Sequence, residues 1–422
     1  MKKLLYNPSQ VVTVNTNSKN VKRGKELSEV ECLTEHSIIL EEDLIKDIIL
    51  TASVSKNNFE MIIDLSGKVI LPGLIECHTH TAFTGSRADE FRQKLAGVDY
   101  EEIAEAGGGI NSTVKAVRSA NFEELVNTVS PRIEHFIQQG ITTLEIKSGY
   151  GLDFENEVKL LQVIKYLNEI FSIDLIPTFL GAHIFPPEAK DKREEYIEEI
   201  INRMLPHIAK QKLAEFCDGF CEKTAFTSEE IDSIFSAAKK LGLKLKLHTE
   251  QFNNVGGLNV ALNHDAVSVD HLEVLDDSDI DKLCSSDTVA VLLPGVSFFL
   301  NYQYAPARKL IENNAVVALA TDFNPGSSHI SSIALVTSLA ALKMGMSIEE
   351  TISAVTINAA KALDVQKTVG SIECGKKADF AVFNCKEYAD IVYDIGKNLN
   401  CMTIKNGEII YSVLNDYPKN SF

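Results

Sequence analysis

The 422-residue chain has no run approaching the ~20 apolar residues of a membrane-spanning helix. Its first residues, MKKLLYNPSQ, carry two lysines but no long apolar stretch after them, so they do not read as a signal peptide. The expectation is a cytoplasmic protein. Positive charge is also short: 41 Lys and Arg against 59 Asp and Glu leave a formal net charge of −18. That argues against nucleic acid, whose phosphates need a basic surface, and against an anionic membrane surface. An anionic small-molecule substrate would have to be met by a local cation. A disulfide framework is missing too, because the eight cysteines are scattered through a long chain. Cys217 and Cys221 invite reading as a metal pair, but no second cysteine pair accompanies them; they read as apolar strand residues.

With 45% hydrophobic and 24% charged residues, the chain has the composition of a globular protein with a large core. Its length suggests two or three units at ~150 residues each, although a barrel uses ~250 in one piece.

The two ends differ in style from the middle. Residues 1–70 carry short β-type runs such as KLLYN, VVTVNT and FEMIIDLSGKVI, separated by polar turns. The last fifty residues repeat this with ADFAVFNC and CMTIKNGEIIYSV, where Asn406-Gly407 is a strong hairpin signal. Residues 1–70 and 366–422 are therefore expected to meet in one small β-sandwich domain. Between them, residues 71–365 alternate apolar, β-branched runs with helical patterns. The eight runs are VILPGLIECHTHT, GITTLEIKSGYG, IDLIPTFLGAHI, LAEFCDGFCEK, GLKLKLHTEQ, DAVSVDHLE, TVAVLLPG and AVVALATDFNPGS. Among the helices, SEEIDSIFSAAKKLG has Ser228 as expected N-cap and Gly242 beyond its end. Alternation in this number predicts an α/β fold, a parallel (β/α)8 TIM-like barrel.

Unusual polar residues stand at the trailing end of most of these runs: His78 and His80, Lys147 and Tyr150, His183, Glu222, His248, His271 and Asp322. In such a barrel the trailing ends converge on the face that carries the active site. His78 and His80 are two apart, so on a strand both rings point to one side and can reach one ion. His248 ends the alternating LKLKL, and Asp322 ends an apolar run where an unpaired carboxylate would be costly. Three imidazoles and a carboxylate suit zinc or iron with room for a water, whose pKa such a metal lowers to ~7. Asp322 would then be ligand and base together. His271 reads as a proton donor or a stabiliser of a developing oxyanion in preference to a further ligand. Gly107 to Gly109 resemble a phosphate cradle only weakly, as no P-loop Lys-Ser/Thr follows.

The pieces PGLIECHTH, KLHTEQ, DH and ATDFNPGS resemble the amidohydrolase superfamily, in which a metal in a barrel flanked by a β-sandwich serves C–N bond hydrolysis. HTHTAFTGSRADEF, YEEIAEAGGGI, TTLEIKSGYGLD, TFLGAHIFPPE and FCEKTAFT narrow the resemblance to a branch that acts in histidine degradation. The resemblance implies hydrolysis of the ring amide of 4-imidazolone-5-propanoate to N-formimidoyl-L-glutamate. It implies one zinc or iron ion held by His78, His80, His248 and Asp322, with His271 and Asp322 catalytic. Arg87, Tyr150, His183 and Ser327 fall at substrate-contact positions, and Asn324 and Gly326 at product-contact positions. Arg87 would grip the propanoate, supplying the local cation. A homodimer is implied as well.

Gln251 departs from the pattern, since many members of that branch, and related ring deaminases, have glutamate there. A glutamine cannot shuttle a proton but can hydrogen-bond a ring nitrogen. Glu250 is adjacent, and an adjacent strand residue points to the other face. The rival readings are a hydrolase or deaminase of another small nitrogen heterocycle, which Gln251 disfavours in its deaminase form, and a non-catalytic scaffold, which the intact ligand set disfavours.

Overall fold

A computed structural model describes residues 1–97 and 108–414. Gly107 and most of YEEIAEAGGGI lie outside the described residues.

The N-terminal segment supplies β1 (Lys2–Tyr6), β2 (Gln10–Val12), β3 (Cys32–Leu33), β4 (His36–Glu41), β5 (Leu44–Leu50), β6 (Met61–Asp64) and β7 (Val69–Pro72). The middle supplies eight strands: β8 (Leu74–Glu76), β9 (Ile141–Lys147), β10 (Asp174–Ala182), β11 (Phe216–Cys221), β12 (Lys244–Thr249), β13 (Ser268–His271), β14 (Val289–Leu292) and β15 (Val316–Leu319). The C-terminal segment adds β16 (Phe380–Phe383), β17 (Asn400–Lys405) and β18 (Glu408–Ser412).

Strands β8 to β15 form one sheet in sequence order, each parallel to its neighbour. Several, such as β14 and β15, are buried throughout, as expected of strands covered on both faces. The sheet closes at its trailing end, where Asp322 N–H donates to His78 C=O (3.1 Å) and His80 N–H to Phe323 C=O (3.0 Å). The Glu76 carboxyl also spans this seam, accepting from the N–H groups of His78 (3.1 Å) and Thr321 (3.1 Å). The result is the expected α/β barrel.

The flanking strands make two further sheets, one in the order β5-β4-β1-β6 and one in the order β18-β17-β16-β7-β2-β3. Leu5, Ile38 and Ile63 of the first share a core with Ile70, Phe380 and Met402 of the second, which makes the pair a sandwich. The β17–β18 hairpin turns on Asn406 and Gly407, both at positive φ (50° and 75°), as the Asn-Gly pair predicts.

One helix start differs by a residue from expectation. The helix Ser228–Lys240 is capped by Thr227, not by Ser228: Thr227 accepts from Glu230 N–H, and the Glu230 side chain returns the bond to Thr227 N–H. Only Thr227 stands three residues before a glutamate that completes this reciprocal pair at the helix start. Cys217 and Cys221 lie buried in β11 within the main apolar core, and the cysteines are free.

Candidate active site and metal centre

His78 and His80 follow β8, and both rings turn into the mouth of the barrel. His78 Nε2 and His80 Nε2 each lie 3.3 Å from Asp322 Oδ1, and His80 Nε2 lies 3.2 Å from His248 Nε2. All four side chains are buried, yet among the described residues His78 Nε2, His80 Nδ1 and Asp322 Oδ1 have no hydrogen-bond partner. Donor atoms at ~2.0–2.1 Å from a tetrahedral ion are separated by about 3.3 Å. These three spacings match that edge, and His78, His80 and Asp322 form one group able to hold a metal ion, with His248 Nε2 beside His80 as the candidate fourth donor.

The backbone is bent to achieve this. Asp322 has φ 48° and His271 φ 86°, left-handed conformations that cost a non-glycine residue of order 1–3 kcal/mol. His271 brings a ring nitrogen within 4.8 Å of those of His78 and His248. Its Nδ1 is 3.6 Å from the buried Glu273 carboxylate.

Behind the imidazoles stand carboxylates that the sequence reading did not single out. His78 Nδ1 donates to Asp270 Oδ2 (2.7 Å), and His248 Nδ1 to Asp218 Oδ1 (3.1 Å). A ring whose Nδ1–H points at a carboxylate keeps its Nε2 lone pair free for a metal. Lys147 does not reach the mouth. Its Nζ donates to Glu145 Oε1 (2.7 Å) and Asp218 Oδ2 (2.8 Å) inside the barrel. The visible signal was a charge inside each apolar run: Glu145 in TLEIK, Asp218 in FCDGF, Asp270 in VSVDH.

A cavity of about 580 Å³ opens above this centre and is lined by His80, Arg87, Tyr150, His183, His248, Gln251, His271, Asp322, Asn324, Gly326 and Ser327. Arg87 is tied through Nε to Glu90 Oε2 (2.7 Å), and among the described residues its Nη groups are left for a ligand. Arg92, by contrast, makes an exposed pair with Asp89. Burial and the Asp322 carboxylate push the Tyr150 phenol up, so it stays protonated. Burial, then the neighbouring His80, lowers His183 to about 3. Its Nδ1 donates to Gly149 C=O (2.8 Å), so the neutral ring offers Nε2 as an acceptor.

The loop that carries Tyr150 is fastened from two sides. The Glu157 carboxylate accepts from the N–H groups of Gly149, Gly151 (2.8 Å) and Leu152 (2.9 Å). Arg118 donates to Gly151 C=O (2.7 Å) and Leu152 C=O (3.1 Å). Gly149 is at φ 96°, and a Cβ on Gly151 would lie 2.5 Å from Glu157 N.

Gln251 and Glu250 diverge. Gln251 lines the cavity, whereas the Glu250 carboxyl accepts from Leu258 N–H (3.3 Å). Glu222 lines the cavity too, but one carboxylate oxygen is taken by the N–H groups of Phe252 and Asn253 (3.0 Å each). Asn324 spends its amide on its own loop: Oδ1 accepts from Gly326 N–H (2.8 Å) and Ser327 N–H (2.7 Å), and Nδ2 donates to Asp322 C=O (2.7 Å).

A barrel with a histidine–carboxylate metal centre at its trailing face defines a metal-dependent hydrolase of the amidohydrolase class. The Amidohydrolase family model matches residues 69–410. Solved structures of the same fold include atrazine chlorohydrolase TrzN from Arthrobacter aurescens TC1 complexed with zinc, at TM-score 0.70, 13% identity and coverage of 97% of this chain and 95% of that one. An adenosine deaminase from Xanthomonas campestris with bound zinc aligns at TM-score 0.70 and 16% identity, over 96% and 92% of the two chains. Among curated relatives, the imidazolonepropionase of Fusobacterium nucleatum is 42% identical over 97% of this chain and 98% of its own. That of Clostridium tetani is 42% identical over 97% and 98%, and that of Geobacillus thermodenitrificans 46% over 83% and 82%. The chain belongs to the imidazolonepropionase family of amidohydrolases.

Proposed function

We propose that this chain hydrolyses the ring amide of 4-imidazolone-5-propanoate to N-formimidoyl-L-glutamate. The observation that carries the reading is the convergence of His80, His248 and Asp322 with the Arg87 guanidinium in one cavity, with His78 Nε2 3.3 Å from Asp322 Oδ1 at its floor. The family likeness supplies the substrate.

His78, His80, His248 and Asp322 would hold the metal, whose donor set leaves zinc and iron both open. Bound there, such an ion supplies Lewis acidity and a water acidified to about neutral pH. Asp322 accepts the proton of the attacking water. Arg87 takes the propanoate through its free Nη groups, a charge-assisted contact that fixes the ring above the centre. The neutral His183 accepts a ring N–H at Nε2, and the Tyr150 phenol donates beside it. Gln251 hydrogen-bonds a ring nitrogen and transfers no proton. His271 donates to the oxygen that gains charge as the ring carbonyl becomes tetrahedral. Asp322 or His271 then returns a proton to the leaving ring nitrogen, and the ring opens. Asn324, Gly326 and Ser327 form the wall against which the open product lies.

The test is hydrolysis of freshly generated imidazolonepropionate, followed by loss of its ultraviolet absorbance, with and without chelator. Chelator-sensitive turnover to formimidoylglutamate supports reaction, substrate and metal together. Absence of turnover by metal-loaded protein would transfer the reading to another cyclic amide. On the same family likeness we infer a cytoplasmic homodimer. Sedimentation velocity tests its oligomeric state.

A further inference from the structure

Beneath the metal-facing imidazoles lies a cluster of charged side chains that the hydrolytic steps do not use. Glu145, Lys147, Asp218, Lys246 and Asp270 have side chains with no solvent exposure. They come from four different strands, β9, β11, β12 and β13. Lys147 Nζ is the point where they join: 2.7 Å from Glu145, 2.8 Å from Asp218 and 4.0 Å from Asp270. Lys246 is a second cation beside Asp270, at 3.8 Å, and donates its short bond to Ser268 Oγ (2.8 Å), whose hydroxyl donates to Asp270 Oδ1 (2.7 Å).

We propose that Lys147 is a positioning residue for the metal centre: its buried ammonium fixes Asp218 by a direct hydrogen bond and balances the charge of Asp270, and through them sets the imidazoles of His248 and His78. The inference rests on the reading of those histidines as metal ligands. Each carboxylate is shared between an imidazole and this cation. Asp218 gives Oδ1 to His248 and Oδ2 to Lys147, and the Oδ2 of Asp270 that accepts from His78 faces the same ammonium. Carboxylate oxygens of Asp218 and Asp270 lie within 4.8 Å of one another in a region sealed from water. Without a cation between them they repel, and the hydrogen bonds that aim the two rings lose their fixed acceptors. Burial alone would lower the Lys147 pKa, but the facing Asp218, Glu145 and Asp270 raise it and keep the ammonium charged. The third carboxylate completes the brace, because Glu145 Oε2 accepts from Thr79 N–H (3.0 Å), the residue between the two histidines that follow β8. Lys147 thus reaches His78, His248 and the backbone of the His-x-His segment without touching the metal or the substrate.

The experiment uses the full-length chain stripped of metal and titrated with zinc against a chromophoric chelator, with visible spectra of the cobalt-loaded protein as second readout. Wild type should take up one equivalent. Lys147→Met should bind zinc roughly 10- to 100-fold more weakly, the usual effect of losing a group that orients a ligand, and its cobalt bands should shift. Should that variant fail to fold, Glu145→Gln/Lys147→Met removes one charge of each sign, leaves the cluster's net charge unchanged, and should show the same weakening. A folded variant with wild-type zinc affinity and an unchanged cobalt spectrum overturns the proposal while the metal centre stands. Absence of zinc uptake by wild type overturns the metal centre and this inference with it.

Discussion

Gly326 leaves the space that Arg87 fills. A Cβ built on Gly326 would lie 2.2 Å from Arg87 Nη1, closer than any real contact. Glu90 holds Nε, and Nη1 packs against Gly326 in the space that a Cβ would occupy. Arg87→Ala should raise KM roughly 10- to 100-fold, the loss of a hydrogen-bonded charge worth about 1.5–3 kcal/mol. Gly326→Ala should raise KM in the same direction with a smaller effect on kcat. In the Arg87→Ala background it should add almost nothing, since both changes remove one interaction. Additive effects in that double-mutant cycle would separate the two residues.

Asp322 has two tasks at once, as metal donor and as the carboxylate that takes the water's proton. Asp322→Asn keeps the shape but not the basicity. Turnover should fall by at least ~10³-fold, within the range of lost general-base catalysis. Circular dichroism should show the fold retained, because the residue sits at the seam and its backbone bond to His78 is unaffected. Rates near wild type in metal-loaded Asp322→Asn would remove the proton-transfer role.

The strand-end residues were legible because the barrel's alternation locates its trailing ends, and a histidine or aspartate after an apolar run is conspicuous. Their mutual geometry follows from parallel strands laid side by side. The supporting carboxylates were harder to see. Asp270 lies 192 residues from the His78 that it orients, and no local pattern pairs a charge in VSVDH with a ring in CHTH. The sandwich was legible as a style of sequence, yet not its pairing. That β7 runs parallel to β2 and antiparallel to β16 depends on how two distant chain ends meet. The misplaced cap at Ser228 was avoidable, since Thr227 with Glu230 three residues on is itself the local signal.

His183 gives a pH test with a definite sign. Its folded pKa is depressed from 6.5 to about 3, chiefly by burial. The unfolded chain therefore binds a proton near pH 6.5 that the folded chain refuses until about pH 3. The stability tied to the neutral ring is full above pH 6.5 and is lost as pH falls towards 3. The gap in unfolding free energy between wild type and His183→Asn should shrink between pH 7 and pH 5, as urea titrations at several pH values would register. A gap independent of pH would mean that the ring titrates normally.

Glu157 accepts from three backbone donors that have no other acceptor among the described residues. The N–H groups of Gly149, Gly151 and Leu152 all point at its buried carboxylate, and Tyr150 is carried between them. Glu157→Ala would leave these donors unpaired where water cannot reach, at a cost of ~1–3 kcal/mol for each group left unsatisfied. The expected outcome is a loss of at least ~2 kcal/mol in urea unfolding, with a raised KM as the Tyr150 loop and the Gly149 carbonyl that fixes His183 lose their anchor. Glu157→Gln, which retains one acceptor oxygen, should fall between the two. Stability and KM of Glu157→Ala equal to wild type would show that the loop is held by Arg118 alone.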